Sequence, residues 1–246
     1  MPTQSTADQF MERLKQLQSP DQRAGYERAF QTGPGGYGEG DQVIGVRMGD
    51  VFALAKEFID MPPAEIERLL ESPIHEARAG ALSIMDKQAR RKKTSVHRRE
   101  ELFDLYLRQH DRIDNWDLVD LAAPHVVGGY LFDKPRDVLY ELARSENVWE
   151  RRTAMYATAY FIRKGELDDT FALAEILVDD DHDLIQKAVG GWLREAAKRD
   201  QPRLLEFLDR HAATMPRVAL RHAIEKIDKD QRAHYLGVKG SVRRKA

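Results

Sequence analysis

Cysteine is absent from this 246-residue sequence. Its absence excludes disulfides, thiolate nucleophiles and cysteine-based zinc sites, and it suits a reducing cytoplasm. Long hydrophobic runs are also missing. No stretch approaches the roughly 18 apolar residues that a membrane span needs, and the N-terminus opens with no apolar signal segment, so we expect neither export nor a membrane partner. Charge of one sign is not in excess. The 39 Lys and Arg nearly balance 41 Asp and Glu, for a formal net charge of -2. Any polyanion-binding surface must therefore come from local placement of the cations. Strand-like alternation is lacking. His75-Glu76 has no second histidine at zinc-protease spacing, no serine sits in a nucleophile elbow, and phosphate-loop and kinase signatures are missing. Asp179 to Asp181 with Asp183 lacks the calcium-loop pattern and reads as an inter-helix loop with Asp183 as an N-cap. We expect no metal and no cofactor.

What is present is helical periodicity. A capping pair, Thr6 and Gln9, predicts a helix to about Leu17, and Pro20 opens another reaching about Phe30. Gly33-Pro34-Gly35-Gly36-Tyr37-Gly38-Glu39-Gly40 lacks phosphate-loop spacing and reads as a flexible connection, with Tyr37 its one large residue. Apolar spacing then predicts helices over Met48–Phe58, Pro63–Leu70 and Ile74–Arg91. Further helices are predicted around 96–109, 115–127, 135–144, 148–162, 169–178, 184–198, 202–211 and 216–227. Comparable positions recur. Arg78, Arg152, Lys187 and Arg221 follow one another at intervals of 74, 35 and 34 residues, the first about twice the others. That is near the roughly 34–47 residues of a two-helix repeat. The expected fold is therefore all-α, a curved α-solenoid of antiparallel helix pairs with a concave face. Three segments are expected: a helical preface with its glycine-rich connection over 1–40, the repeat domain over 41–238, and a basic tail over 239–246.

Asn115-Trp116-Asp117-Leu118-Val119-Asp120 organises the chemistry. It reads as the first turns of a helix with Asp114 as N-cap and Asp117 closing a capping box. Residues four apart share a helix face, so Trp116 and Asp120 project side by side. The pair is either packing beside a solvated acid or a carboxylate in an aromatic-walled site, placed to stabilise a cation. Arg151, Arg152 and Arg217 sit at helix starts, where a cation opposes the helix dipole. They either reach solvent or, with the helix N–H groups, face phosphates. Arg90 to Lys93 and Arg98-Arg99 could extend such a track or form a solvated turn. Gly190-Gly191 interrupts a helix beside Trp192. The glycines serve close helix packing or the approach of a ligand. Trp149 reads as a packing residue.

Taken together, Trp116-Asp117-Leu118-Val119-Asp120, Val148-Trp149-Glu150-Arg151-Arg152, Gly190-Gly191-Trp192-Leu193-Arg194-Glu195 and Met215-Pro216-Arg217 resemble the AlkD-like DNA alkylation-repair glycosylases. Gly45-Val46-Arg47 and His75-Glu76-Ala77-Arg78 also look like that family's early repeats. The resemblance runs over roughly residues 40 to 236. It implies HEAT-like (ARM-like) repeats holding double-stranded DNA in a concave cleft. It implies a monofunctional glycosylase that removes cationic N3- and N7-alkylated purines without flipping them into a pocket. Its motifs carry the catalytic roles onto Asp120, Trp116, Trp192 and Arg152. The resemblance also matches Tyr37 to a family tyrosine, although its glycine-rich setting departs from the pattern. Tyr37, Arg78, Arg151, Lys187 and Arg217 are the expected DNA contacts. We further expect a monomer, cytoplasmic and associated with the nucleoid when bound to DNA. Two other readings stand beside this one, a non-catalytic protein that binds damaged or branched DNA and a protein-interaction scaffold.

Overall fold

A computed structural model describes residues 5–238; the expected basic tail lies outside them. The protein is all-α, with no strand among the described residues and one isolated bridge between Gln42 and Ile74. No described helix is long and apolar enough to cross a membrane. The chain forms two compact units, Met1–Tyr130 and Leu131–Ala246.

Unit 1 contains α1 (Ala7–Gln16), α2 (Pro20–Ala29), α3 (Met48–Glu57), α4 (Pro63–Leu70), α5 (His75–Arg90), α6 (Val96–Arg108) and α7 (Trp116–Ala122). A wide π turn, Ala123–Gly128, and the short α8 (Gly129–Leu131) follow. The helices alternate in the manner of stacked pairs: α5 packs between α3 and α7, while α4 and α6 lie against each other and against α5. The preface is part of this unit, because α1 lies on α3 and α4 and buries Phe10 and Leu14. Its Thr6–Gln9 capping box forms as expected. The glycine-rich connection is a series of hydrogen-bonded turns rather than a loose linker, with the Gly36, Gly38, Glu39 and Asp41 N–H groups bonded to Gly33, Gln31, Gly36 and Gly38.

Central α5 is buried almost all round, including its polar residues. Each finds partners, as burial demands. The Glu76 carboxylate accepts the N–H groups of Ile44, Gly45 and Val46 at 2.8–3.2 Å. Gln88 donates to the Ile59 and Met61 carbonyls, both at 2.8 Å. Gly45 itself is left-handed at φ 82° and faces the Ser19 carbonyl so closely that a Cβ would come within 2.1 Å of it. Only glycine fits there.

Unit 2 contains α9 (Asp137–Leu142), α10 (Val148–Lys164), α11 (Asp168–Leu177), α12 (Asp183–Ala197), α13 (Gln201–His211), α14 (Arg217–Ala223) and α15 (Lys229–Gly237). Here α12 packs between α10 and α14, and α9, α11 and α13 cover them. The pairing has the same pattern as in unit 1, and in α10, α12 and α14 the fifth residues are Arg152, Lys187 and Arg221. The sequence periodicity missed α15, whose apolar content is low; Tyr235 alone is buried, its hydroxyl donating to Asp209 at 2.8 Å. Asp183 is the first helical residue of α12, and His182 takes the cap by accepting the Leu184 N–H.

Candidate functional site

In unit 1 the site grows from α7. The expected cap is displaced by one residue: Asn115, not Asp114, accepts the Trp116 N–H at 2.9 Å. Asp114 instead receives Arg78, and Asp117 receives His75 rather than closing a capping box. The helix then changes character just after Asp120. Pro124 has no N–H for the Asp120 carbonyl four residues back, and its ring crowds that carbonyl. The backbone answers by widening into the π turn, where the Gly129 N–H reaches back to the Pro124 carbonyl. Such wide turns break an otherwise regular helix and often mark functional positions. Trp116 and Asp120 are both half-buried and lie one turn apart on α7.

Behind α7 lies a chain of charge. His75 is fully buried, and both its ring nitrogens meet carboxylates, Nδ1 at Asp41 and Nε2 at Asp117, each at 2.9 Å. Carboxylates only accept, so both nitrogens must donate and the ring is a cation. Burial opposes that charge, but the hydrogen bonds and charges of Asp117 and Asp41 outweigh it and raise the pKa to about 9. Burial likewise opposes ionisation of Asp41, while His75 and Arg78 more than compensate and hold its pKa below the usual carboxylate range. Arg78 is 1% exposed and donates to Asp41 at 2.6 Å and Asp114 at 2.9 Å. It pins the turn at Asp41 and the α7 entry to α5, and its burial keeps it from the DNA contact expected of it.

An aromatic cavity of about 330 Å³ opens beside Trp116, lined also by Tyr26, Phe30, Met48, Phe52 and Asp117. Tyr26 stacks on Phe30 at 5.6 Å, and Phe30 stacks on His75 at 4.0 Å. Tyr26 was not anticipated from the sequence. The signal that could have found it is its spacing, one helical turn before Phe30. Tyr37 lies instead on the glycine-rich loop, its hydroxyl donating to the Ala29 carbonyl at 3.2 Å.

In unit 2, Arg152 and Trp192 are brought together through another residue that the sequence did not announce, Tyr156. The Arg152 guanidinium lies 4.3 Å from the Tyr156 ring centroid and donates to its hydroxyl at 2.7 Å. Tyr156 meets Trp192 edge-on at 5.2 Å. Arg152 also donates to the Leu184 carbonyl at 2.9 Å and is 5% exposed, so it orders the aromatic pair as much as it faces outward. Trp192 lines a cavity of about 470 Å³ with Tyr156, Arg163, Lys187, Gly191 and His222. The two glycines of the pair differ in their surroundings. A Cβ on Gly190 would come within 2.2 Å of the Ala219 carbonyl, so that glycine serves helix packing; Gly191 faces open space.

The other expected cations divide. Arg151 is bound to Asp180 at 2.7 Å and to the Ser145 and Glu146 carbonyls at 2.9 Å, which ties two inter-helix turns together rather than facing phosphate. Lys187 and Arg217 are exposed, with Lys187 on Asp183 and Arg217 on the Leu236 carbonyl, each at 2.6 Å. Arg99 caps the end of α5 through the Ala89, Arg91 and Thr94 carbonyls, so the basic run there is partly structural.

Residues 10–227 match the family of DNA alkylation repair enzymes. The chain belongs to that family. A solved structure described as a predicted DNA alkylation repair enzyme from Enterococcus faecalis shares the fold with a TM-score of 0.70, at 18% identity, covering 87% of this chain and 98% of that one. No curated protein matches the sequence. As a DNA alkylation repair enzyme, the protein has DNA as its partner. A half-buried acid beside an indole and exposed cations at the starts of α12 and α14 are features that such an enzyme can use.

Proposed function

We propose that this DNA alkylation repair enzyme is a monofunctional glycosylase that hydrolyses the N-glycosidic bond of cationic N3- or N7-alkylated purines in duplex DNA. The observation that carries the reading is the half-buried carboxylate of Asp120 one helical turn from Trp116, at the point where Pro124 widens the helix. Alkylation gives the purine a positive charge. When the C1′–N bond breaks, its electron pair neutralises that charge, so the base departs without a general acid. The sugar is left oxocarbenium-like. Asp120 stabilises that cation and orients a water whose oxygen adds to C1′; the carboxylate or solvent takes the water's proton. Trp116 offers its π face to the developing charge. In unit 2, Arg152, ordered on Tyr156, holds the DNA backbone, and Lys187 and Arg217 contact phosphates.

The test is single-turnover release of 7-methylguanine from duplex DNA. Wild type releases the base. Asp120→Asn loses at least about 100-fold in rate, as expected for removing one oriented transition-state charge, while its affinity for DNA is unchanged. Near-normal release by that variant would overturn the mechanism. No release by wild type, with DNA binding intact, would favour a non-catalytic DNA-binding protein.

A further inference from the structure

The face of unit 1 that carries Trp116 and Asp120 continues beyond them. Met48 of α3, Ala79 of α5 and Trp116 of α7 meet at one cavity near the starts of their helices. Farther along, Asp86 of α5 accepts the His125 Nδ1–H at 2.8 Å, and the Lys87 ammonium lies 5.6 Å from the ring centroid of Phe52 on α3. The three helices therefore run side by side in one direction, and residues one and two turns past the cavity continue its face. On α7 the continuation is Asp120, between Trp116 at the cavity and His125 at the level of Asp86. On α3 it is Phe52 and then Lys56. On α5 it is Ser83 and then Lys87, with Arg90 one turn farther on.

These three cations are short of counter-charge. Lys56 is exposed and pairs with no carboxylate among the described residues. The acids beside it are engaged elsewhere, Glu57 with Arg13 and Asp60 with Arg91. Lys87 donates to the buried Ser83 hydroxyl at 2.6 Å and has two more N–H groups to give. Asp86 is shared between His125 and Arg90, the latter at 3.4 Å. Burial, together with the charges of Arg90 and Lys56, holds the Lys87 ammonium below the ordinary lysine range, and the charge of Asp86 does not make up the difference. An anion in contact with Lys87 would reverse that penalty.

We propose that Lys56, Lys87 and Arg90 form a phosphate clamp in unit 1, which takes the DNA backbone beside the nucleotide whose sugar lies at Asp120. Lys87 is its centre, pre-positioned by Ser83 and Phe52. Arg90 is steered by Asp86, which His125 holds in turn. The clamp adds one phosphate contact to those of Lys187 and Arg217 in unit 2. It reads no base, since phosphate contacts position a protein on DNA without specifying sequence. Its contribution is to fix the sugar relative to Asp120, and that part of the proposal rests on the glycosylase reading.

The experiment is equilibrium binding of duplex DNA carrying one 7-methylguanine, as a function of salt, by wild type, Lys87→Gln and Lys87→Arg. Lys87→Gln is expected to bind about tenfold more weakly at low salt, as for loss of one charged hydrogen bond. Its salt slope should be smaller in magnitude by about one, the signature of one lost phosphate contact. Lys87→Arg keeps the charge and should restore both. All three proteins should melt within a few degrees of one another, because the one hydrogen bond Lys87 makes is to a serine hydroxyl. An unchanged affinity and slope in Lys87→Gln and in the Lys56→Gln/Lys87→Gln double variant would overturn the clamp, as would a loss that Lys87→Arg does not restore. Single-turnover excision at saturating DNA tests the placement. The Lys87→Gln rate should fall about tenfold even when all the DNA is bound, because the sugar is less well held; a wild-type rate would overturn the position beside Asp120. The two readings fail separately. Excision with no change in slope removes the clamp and leaves the glycosylase, whereas the change in slope without any excision by wild type supports the clamp and removes the glycosylase.

Discussion

Both ring nitrogens of His75 give protons to carboxylates, and this makes a buried histidine a pH-dependent element of unit 1. Its pKa is raised from 6.5 to about 9 in the folded protein. A group whose folded pKa is raised contributes stability that is full below the unfolded value and is lost as pH climbs through the folded one. The melting temperature should therefore fall as pH rises from about 6.5 to 9. For a chain of this size, about 1 kcal/mol shifts it by about 2–4 °C, so a drop of several degrees is expected. In His75→Gln the melting temperature should be lower at neutral pH and flat over that window; an equal slope in both proteins would remove His75 as the cause. Arg78 shows the same economy of buried charge. Its position at the fourth residue of α5 resembles those of Arg152 and Lys187 in their helices, yet two aspartates distant in sequence absorb it. Nothing in its local sequence distinguishes it from an exposed cation.

Among the elements, α12 combines two neighbouring glycines with opposite surroundings. Gly190 meets the Ala219 carbonyl of α14, and Gly191 meets nothing within 4 Å. Gly190→Ala should cost about 1–3 kcal/mol, the usual range for an overpacked contact. Gly191→Ala should stabilise by up to about 1 kcal/mol, the helix propensity difference. Urea midpoints at constant slope measure both; destabilisation by the two changes alike would mean that the packing differs from that described. The helices themselves were legible, since α3, α4, α5 and α10 begin within a residue of where apolar spacing and proline or cap signals put them. The break after Asp120 was not. Periodicity continued through Pro124, and the wide turn that the proline forces became visible only in the backbone hydrogen bonds.

On the scale of the whole molecule, a net charge of -2 makes long-range attraction to DNA weak, so binding must come from local phosphate contacts. If Lys187, Arg217 and Arg221 each neutralise one phosphate, the logarithm of the association constant should fall with the logarithm of salt at a slope of about -3. Lys187→Ala should reduce the magnitude of that slope by about one. A slope near zero would favour the scaffold reading over a DNA-binding surface. Arg217 was readable as a helix-start cation and Lys187 as a repeat-spaced one, and both are exposed, whereas Arg151, with the helix-start signature, is spent on Asp180 and two carbonyls. Sequence position marks where a cation begins, and the neighbouring turns determine where it points.

The sequence by itself determined that this chain is helical, that its helices come in pairs, that no cysteine chemistry is available, and which family its motifs resemble. These are properties of spacing and residue type, which act within a few turns of the chain. The tertiary structure alone decided which cations remain outside, that Tyr156 joins Arg152 to Trp192, and that Tyr26 rather than Tyr37 lines the cavity at Trp116. Those outcomes depend on partners 29 to 37 residues away, as for Arg151 with Asp180 and Arg78 with Asp41, or on packing among several helices. A buried charge goes where its counter-charge is, and that place is fixed only when the helices have packed.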